Sequence, residues 1–419
     1  MTYSDDQQTP SSKPGFFYGY IIVIASFTIM VASQGVHYAF GVFFKPMSTE
    51  LGWTRAATSG AFSLSWIMQG LLGILVGGIN DRYGPRMVIT ICALLFGLGY
   101  YLMSQIDAIW QLYLFYGVII GIALGGTYIP LTSTVARWFT RRRSTMTGII
   151  LAGMGAGTFI MPPIINQLIS AYDWRMTYII MGGVVLVVMA TAAQFMKRDP
   201  SKVGRLPYGE QGSLDQGSKT NDQGYSLRDA ARTKQFWQFF GILFCSACCI
   251  FGILVHISPH ATDIGISATI AANFISTIGA ASVIGKVAFG NIADRIGNRR
   301  IYIICFIVMV ISLLWLTQIK EIWMLYLFAS VFGLTYGGCS VSMSPLAANL
   351  FGIRFHGFIT GVVNNGFTIG ATVGPLVVGY IFDITSGYTI GFIFLTAIAA
   401  IGLILALFIK PTGITSGRL

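Results

Sequence analysis

The chain has 419 residues, 54% of them hydrophobic and only 10% charged, with a mean hydropathy of +0.71. A soluble chain of this length would form two or three domains and carry about 25% charged residues. That excludes a soluble globular protein, and apolar dominance excludes collagen-like, disordered and disulfide-scaffold classes. The composition is that of a polytopic membrane protein, and its fifty glycines suit helices that approach closely in lipid. The net charge of +11 is informative by its location rather than its sum.

In chain order, a polar tail, Met1–Gly15, runs into an apolar segment too long for a signal h-region, so no cleavable signal peptide is expected. Runs of roughly 20 mainly apolar residues predict twelve spans. They lie at 17–44, 57–79, 86–105, 109–136, 144–170, 176–196, 236–260, 267–292, 300–318, 322–350, 357–382 and 387–409. The polar stretch Lys197–Lys234 reads as a flexible linker. The expected organisation is a tail at 1–16, a six-helix bundle at 17–196, a linker at 197–235, a second bundle at 236–410 and a tail at 411–419. The fold class is therefore all-α: twelve transmembrane helices in two pseudo-symmetric bundles.

The six cysteines all lie in apolar stretches. Cys245 and Cys248 have redox-like spacing but no flanking ligand cluster, and read as small buried hydrophobes. No cofactor and no metal are expected.

Sorting the 26 basic residues by side orients the chain. With both termini cytoplasmic, 21 fall on the inside, and four (Lys45, Arg55, Arg175 and Lys320) fall outside. This is a strong positive-inside pattern, consistent with a multi-pass protein of the cell (inner) membrane. The excess charge marks topology, and no nucleic-acid partner is required.

The halves repeat at an offset of 213 residues. Gly77-Gly78-Ile79-Asn80-Asp81-Arg82-Tyr83-Gly84-Pro85-Arg86 matches Gly290-Asn291-Ile292-Ala293-Asp294-Arg295-Ile296-Gly297-Asn298-Arg299, and Gly148, Gly153 and Pro162 map onto Gly361, Gly366 and Pro375. Gly84 and Gly297 are expected to make the tight turn of a short loop. Parallel six-helix repeats that hold substrate between them near mid-membrane are a transporter plan.

At this point the chain resembles the major facilitator superfamily over essentially its whole length outside the linker. A narrower resemblance, to the monocarboxylate transporters and oxalate/formate antiporters, rests on several segments. These are Phe17-Tyr18-Gly19-Tyr20, Tyr38-Ala39-Phe40-Gly41-Val42-Phe43-Phe44-Lys45, Leu51-Gly52-Trp53-Thr54-Arg55 with Ser59-Gly60-Ala61-Phe62-Ser63, and Trp138-Phe139-Thr140-Arg141-Arg142-Arg143.

All fifteen acidic residues fall in tails, loops or helix ends, whereas Lys286 lies within a span. A lysine at a helix centre costs roughly 2.5–3.5 kcal/mol on insertion scales. Lys286 lies about 12 Å along the helix from the interfacial Asp294, and Ser282 and Gly279 share its face. The choice lies between snorkelling to the headgroups and binding a substrate anion. The resemblance implies the second, because those carriers place a basic residue, usually Arg, at the position matched by Lys286. Lys keeps the charge but loses the bidentate fork.

Other candidates for the binding site are Tyr128 and Tyr336 in the equivalent glycine-rich spans 4 and 10, Ser282, His37, Asn364 and Asn365. Packing is the alternative role for the tyrosines, and gluing helices for the asparagines. His256 and His260 read as vestibule or loop residues. The two Asp-Arg motifs (Asp81, Arg82 and Arg86; Asp294, Arg295 and Arg299), with Arg142 and Arg143, are the expected gate on the cytoplasmic side. His356 maps onto Arg143 and belongs to the same region.

Gly370-x-x-x-Gly374-Pro375-x-x-x-Gly379, and Gly153 to Pro163, are expected to give close helix contact and local bending.

The expected function is alternating-access transport of a small monocarboxylate of the lactate/pyruvate class, by a monomer in the bilayer, with proton symport. Monocarboxylate transporters carry an acid where this chain has Ser282, and a span 1 lysine where it has Tyr38. A proton would therefore ride on His37, on Lys286 or on the substrate. The alternative is an organic-anion exchanger of the oxalate/formate type. A drug exporter would want an intramembrane acid, a sensor a large extra domain, and an enzyme a nucleophile–base pair or metal cluster. None of these is visible in the sequence.

Overall fold

The computed structural model describes residues 17–139, 143–200, 208, 225–319, 321–352 and 356–410. Arg142, both expected tails and most of the expected linker lie outside the described residues, as do the side chains of Asp81, Arg143, Asp294 and His356.

Each predicted span has its helix. The first half contains α1 (Gly19–Leu51), α2 (Arg55–Tyr83) and α3 (Pro85–Met103), then α4, built from Ile109–Leu112, Tyr113–Ile120 and Gly121–Trp138. It closes with α5 (Arg143–Ala171) and α6 (Trp174–Gln194). The second half contains α7 (Lys234–Asp263), α8 (Ala268–Ile296), α9 (Asn298–Leu316), α10 (Ile322–Phe351), α11 (His356–Thr385) and α12 (Thr389–Phe408). Eleven of them are apolar and long enough to cross a membrane, and α2, with Gln69 and Asn80 in its sequence, is the twelfth. The protein is an all-α, multi-span membrane protein. Helix α1 breaks at Ala39, and the Tyr113–Ile120 segment of α4 is a π-helical turn.

The internal repeat is visible in local geometry. Thr54 caps α2 by accepting from the Ala57 amide, and Ser267, its counterpart in the repeat, caps α8 by accepting from the Ile270 amide. Both side chains satisfy an amide that the helix itself leaves free. The same helices end at Gly84 and Gly297, with φ of 86° and 89°. The two glycine amides donate to Asn80 O at 2.9 Å and Ala293 O at 2.8 Å. This extended conformation at positive φ is essentially reserved for glycine, which explains why both copies carry one.

Packing follows the repeat as well. Gly153 and Gly157 of α5 lie against the Phe27 and Val31 carbonyls of α1. Gly366 and Gly370 of α11 lie against the Phe240 and Phe244 carbonyls of α7. A Cβ at Gly366 would clash with the Phe240 carbonyl, so these pairs are locked backbone to backbone. The glycines therefore bind α1 to α5 and α7 to α11 inside each half, while Pro162, Pro163 and Pro375 sit within continuous helices.

The halves meet through α2 on α11, α5 on α8, and the second part of α1 on α7. An even number of spans puts the start of α1 and the end of α12 on one side, called here the termini side; the other is the far side.

Replacing Gly84 or Gly297 by Ala meets open space but a forbidden backbone. Each change should destabilise the protein by about 1–3 kcal/mol, read as a lower unfolding midpoint in detergent. Gly148→Ala, in a helix with open space around it, should leave the midpoint unchanged.

Candidate functional site

The seam between α5 and α8 sets the position of Lys286. Gly279 packs on the backbone of Thr158 and Phe159, and one turn on, Ser282 faces Gly155. A further turn on, Lys286 Nζ reaches Leu151 O at 3.5 Å. The three residues thus share one face, as their spacing requires, and Lys286 sits where the seam ends. An ammonium has three N–H donors, and its other described neighbour is the Tyr336 ring, 5.8 Å away. Among the described residues, no carboxylate forms an ion pair with Lys286. A positive group with open hydrogen-bonding capacity at the junction of two half-bundles is equipped to hold an anion.

The tyrosines gather beside it. The phenols of Tyr38 and Tyr336, from α1 and α10, are buried and lie within interaction range of one another. Tyr128, in the glycine-rich part of α4, is 40% accessible. Tyr38 stacks over Trp66, which packs in turn on Phe251 and Phe367. These rings come from α1, α2, α7 and α11, so both halves contribute to one wall. Among the described residues, the buried Trp66 Nε1 has no hydrogen-bond partner, and the same holds for Gln34 Oε1 and Gln69 Oε1.

Tyr38 and Trp66 were not read from the sequence as site residues. Their signal was weak, because aromatic residues are common in apolar helices. Gln34 and Gln69, amides within spans, were the stronger clue.

The remaining candidates are dispersed. Ser282 Oγ donates to Gly279 O at 2.7 Å and is buried in the α5–α8 seam. His37 packs inside the first half, stacked on Phe62, with Nδ1 3.1 Å from the Tyr116 hydroxyl and Nε2 without a hydrogen-bond partner among the described residues. Asn364 is half-buried, and Asn365 is exposed and donates to Val362 O at 3.0 Å. Both lie on the termini side of the contact between Gly70 and Thr368, where α2 and α11 touch.

On the termini side, Arg86 Nε donates to Gln194 Oε1 at 2.8 Å, while Arg299 donates to the Ala406 and Leu407 carbonyls. Both therefore tie α3 to α6, and α9 to α12, within a single half. Arg299 benefits from the negative end of the α12 dipole. Arg82 and Arg295 are exposed. In this state none of these four makes a described ion pair across the halves.

The far side carries a lock that the sequence reading missed. Arg55, at the start of α2, pairs with Asp263 at the end of α7 at 2.6 Å, and Lys45 of α1 pairs with the same carboxylate at 3.0 Å. The Asp383 carboxylate of α11 caps α2 from the other half, accepting from the Arg55 and Ala56 amides at 2.8 Å each. The guanidinium lies 3.7 Å over the Phe382 ring and donates to the Tyr388 hydroxyl. Burial pushes the Tyr388 phenol upward against the lowering pull of Arg55, so Tyr388 keeps its proton. Both cations had been counted only as loop charges; their acidic partners lie more than 200 residues away.

A family model described as the Major Facilitator Superfamily matches residues 22–288 and 257–417. The chain belongs to the major facilitator superfamily. It is 25% identical over 413 residues to monocarboxylate transporter 12 of Rattus norvegicus, covering 91% of this chain and 83% of that one. It is 23% identical over 343 residues to the uncharacterized MFS-type transporter YhjX of Escherichia coli (strain K12), covering 80% and 82%. Agnestins efflux protein AgnL12 of Paecilomyces divaricatus is 25% identical over 373 residues, covering 86% and 80%. In fold, the chain is similar to a bacterial homolog of the human lysosomal transporter Spinster in its inward-facing, unoccupied conformation. The TM-score is 0.75 at 14% identity, over 95% of this chain and 97% of that one. This member of the superfamily is thus a secondary transporter that moves a small solute across a membrane, and not an enzyme.

Asp383→Ala removes the cap that crosses between halves. It should cost this transporter about 1 kcal/mol, seen as a lower melting temperature in detergent; Asp383→Asn should recover part of the loss.

Proposed function

We propose that this transporter carries a small monocarboxylate of the lactate/pyruvate class by alternating access, in symport with protons. The observation that carries the reading is Lys286, a cation at the seam between halves, 5.8 Å from the Tyr336 ring, with no acid paired to it among the described residues. A substrate carboxylate supplies the missing charge and accepts hydrogen bonds from the ammonium and the phenols. Such charge-assisted bonds are among the stronger ones. One fixed cation matches one carboxylate. The likeness to monocarboxylate transporter 12 supports the same class.

In the proposed cycle the halves 17–196 and 236–410 rock about this site. The termini side is cytoplasmic, as the distribution of basic residues indicates, and the membrane is the cell (inner) membrane. The far-side lock is shut in the present state, and the Asp-Arg motifs, with Arg142 and Arg143, close the cytoplasmic side in the opposite state. Asn364 and Asn365 line the approach on the cytoplasmic side. The proton-coupling candidates are His37, packed among rings of the first half, and Lys286 at the seam. The protein is proposed to act as a monomer in the bilayer.

One observation favours anion exchange instead. The position one turn before Lys286 is Ser282, whose hydroxyl is committed to Gly279 O, so no acidic proton carrier stands beside the cation. Exchange of the oxalate/formate type needs none.

Reconstitution into liposomes decides between the readings. Labelled lactate or pyruvate should enter, faster with an acidic exterior. Uptake that appears only after preloading with a counter-anion would select exchange. Lys286→Ala should lower uptake by roughly 10–100-fold, the loss of one charge-assisted bond worth about 1.5–3 kcal/mol, while the protein stays folded. Lys286→Arg should retain part of the activity. Undiminished uptake by Lys286→Ala would remove the assignment.

A further inference from the structure

The far-side lock continues inward to a histidine. His256 of α7 is fully buried, with Nε2 2.8 Å from Pro375 O of α11 and Nδ1 3.1 Å from the Tyr388 hydroxyl. One arrangement of protons satisfies the whole chain. Pro375 offers only an acceptor, so Nε2 carries the hydrogen and donates to it. Nδ1 is then the acceptor, and the Tyr388 hydroxyl donates to it. The Tyr388 oxygen accepts in turn from the Arg55 guanidinium, whose other arm is held by Asp263. This arrangement requires a neutral imidazole.

A proton on Nδ1 reverses the last link. Two donors, His256 and Arg55, then converge on the Tyr388 oxygen, and its hydroxyl hydrogen loses its acceptor. A second full cation also stands across one phenol from Arg55, in a packed region where like charges repel strongly.

The neighbours do not neutralise it. The charged and titratable groups at the far-side ends of the surrounding elements are Lys45 and Glu50 of α1, Arg55 of α2, Asp383 of α11, Tyr388 before α12, and His260 and Asp263 on α7 itself; Glu50 is held by Arg175 and Trp174 of α6. Asp263 already serves Lys45 and Arg55, and Asp383 serves two amides of α2. Phe44 packs edge-on against the His256 ring. His260 touches the Tyr388 and Phe392 rings by its edge but makes no described hydrogen bond to the relay.

We infer that His256 is the proton-binding group of the far-side gate: its neutral form holds Arg55, Tyr388 and Asp263 together across the halves, and its protonation releases them. The sign follows from linkage. The open state binds the proton more readily than the closed one, so falling pH shifts the population toward a far-side opening. This assigns a proton to a place remote from Lys286 and gives the proposed symport a gate that responds to the proton itself. It rests on alternating access between the halves, but not on the identity of the substrate.

The test measures distance rather than transport. Thr49 on α1 and Thr385 on α11 are exposed on the far side, one in each half, and the six native cysteines are buried. Spin labels on Thr49→Cys and Thr385→Cys, in the full chain in lipid nanodiscs without substrate, report the gap by double electron–electron resonance. Between pH 7.5 and pH 5 the long-distance population should rise at least about twofold. In His256→Gln, where the amide takes no proton, it should stay flat. His260→Gln should respond as the parent does.

A parent that does not respond overturns the inference, as does a His256→Gln protein that still responds. A response lost in Asp263→Asn but kept in His256→Gln would move the proton to the carboxylate and equally overturn it. Should His256→Gln fail to fold, Tyr388→Phe breaks the same relay while leaving the Arg55–Asp263 pair, and must blunt the response. If the proposed function fails because the substrate is not a carboxylate, these distances are unaffected, so the two failures are distinguishable.

Discussion

A positive charge set where two half-bundles meet, with no acidic partner among the described residues, is the constraint on which the proposed account of this molecule depends. Burying an ammonium costs free energy, and the usual remedies are a carboxylate or a path to the headgroups. Here Lys286 meets, among the described residues, the Leu151 carbonyl at 3.5 Å and the face of the Tyr336 ring. The serine and glycine one and two turns away, Ser282 and Gly279, bring α5 and α8 close enough to hold it there. The charge is thus maintained by packing of the helices and remains open to a ligand.

Around that point the two interfaces have different physical characters. Inside each half, backbone meets backbone at Gly153 and Gly157, and again at Gly366 and Gly370, which leaves little freedom for internal change. Between the halves on the far side, ion pairs, a cap and a relay of hydrogen bonds centred on Arg55 are added to glycine contacts, with Gly41 on the Leu254 and Val255 carbonyls and Gly379 on the Arg55 backbone. The polar contacts can break and reform, which the proposed alternating access needs of this face.

Much of the fold was legible because lipid imposes a simple grammar. Twelve apolar runs gave twelve helices, and Gly84 and Gly297, paired by the repeat, both occupy the turn their spacing called for. The site was legible only where a residue violated that grammar. Lys286 stood out as a charge in an apolar span. Tyr38 and Trp66 did not, because aromatic side chains are ordinary there until the fold stacks them. The lock was harder still. Lys45, Arg55, Asp263 and Asp383 are unremarkable as loop charges, and their meaning comes from pairing across the halves. His37 shows the converse: a histidine singled out for its titration is packed among rings of its own half.

The central claim is that the charge on Lys286 is there for a carboxylate. Isothermal titration of the purified transporter with lactate, and with its uncharged amide, tests this without any transport step. The account predicts that lactate binds at least about tenfold more tightly than the amide, and that the difference disappears in Lys286→Ala. Equal binding of the two, or a preference that survives the loss of Lys286, would contradict it.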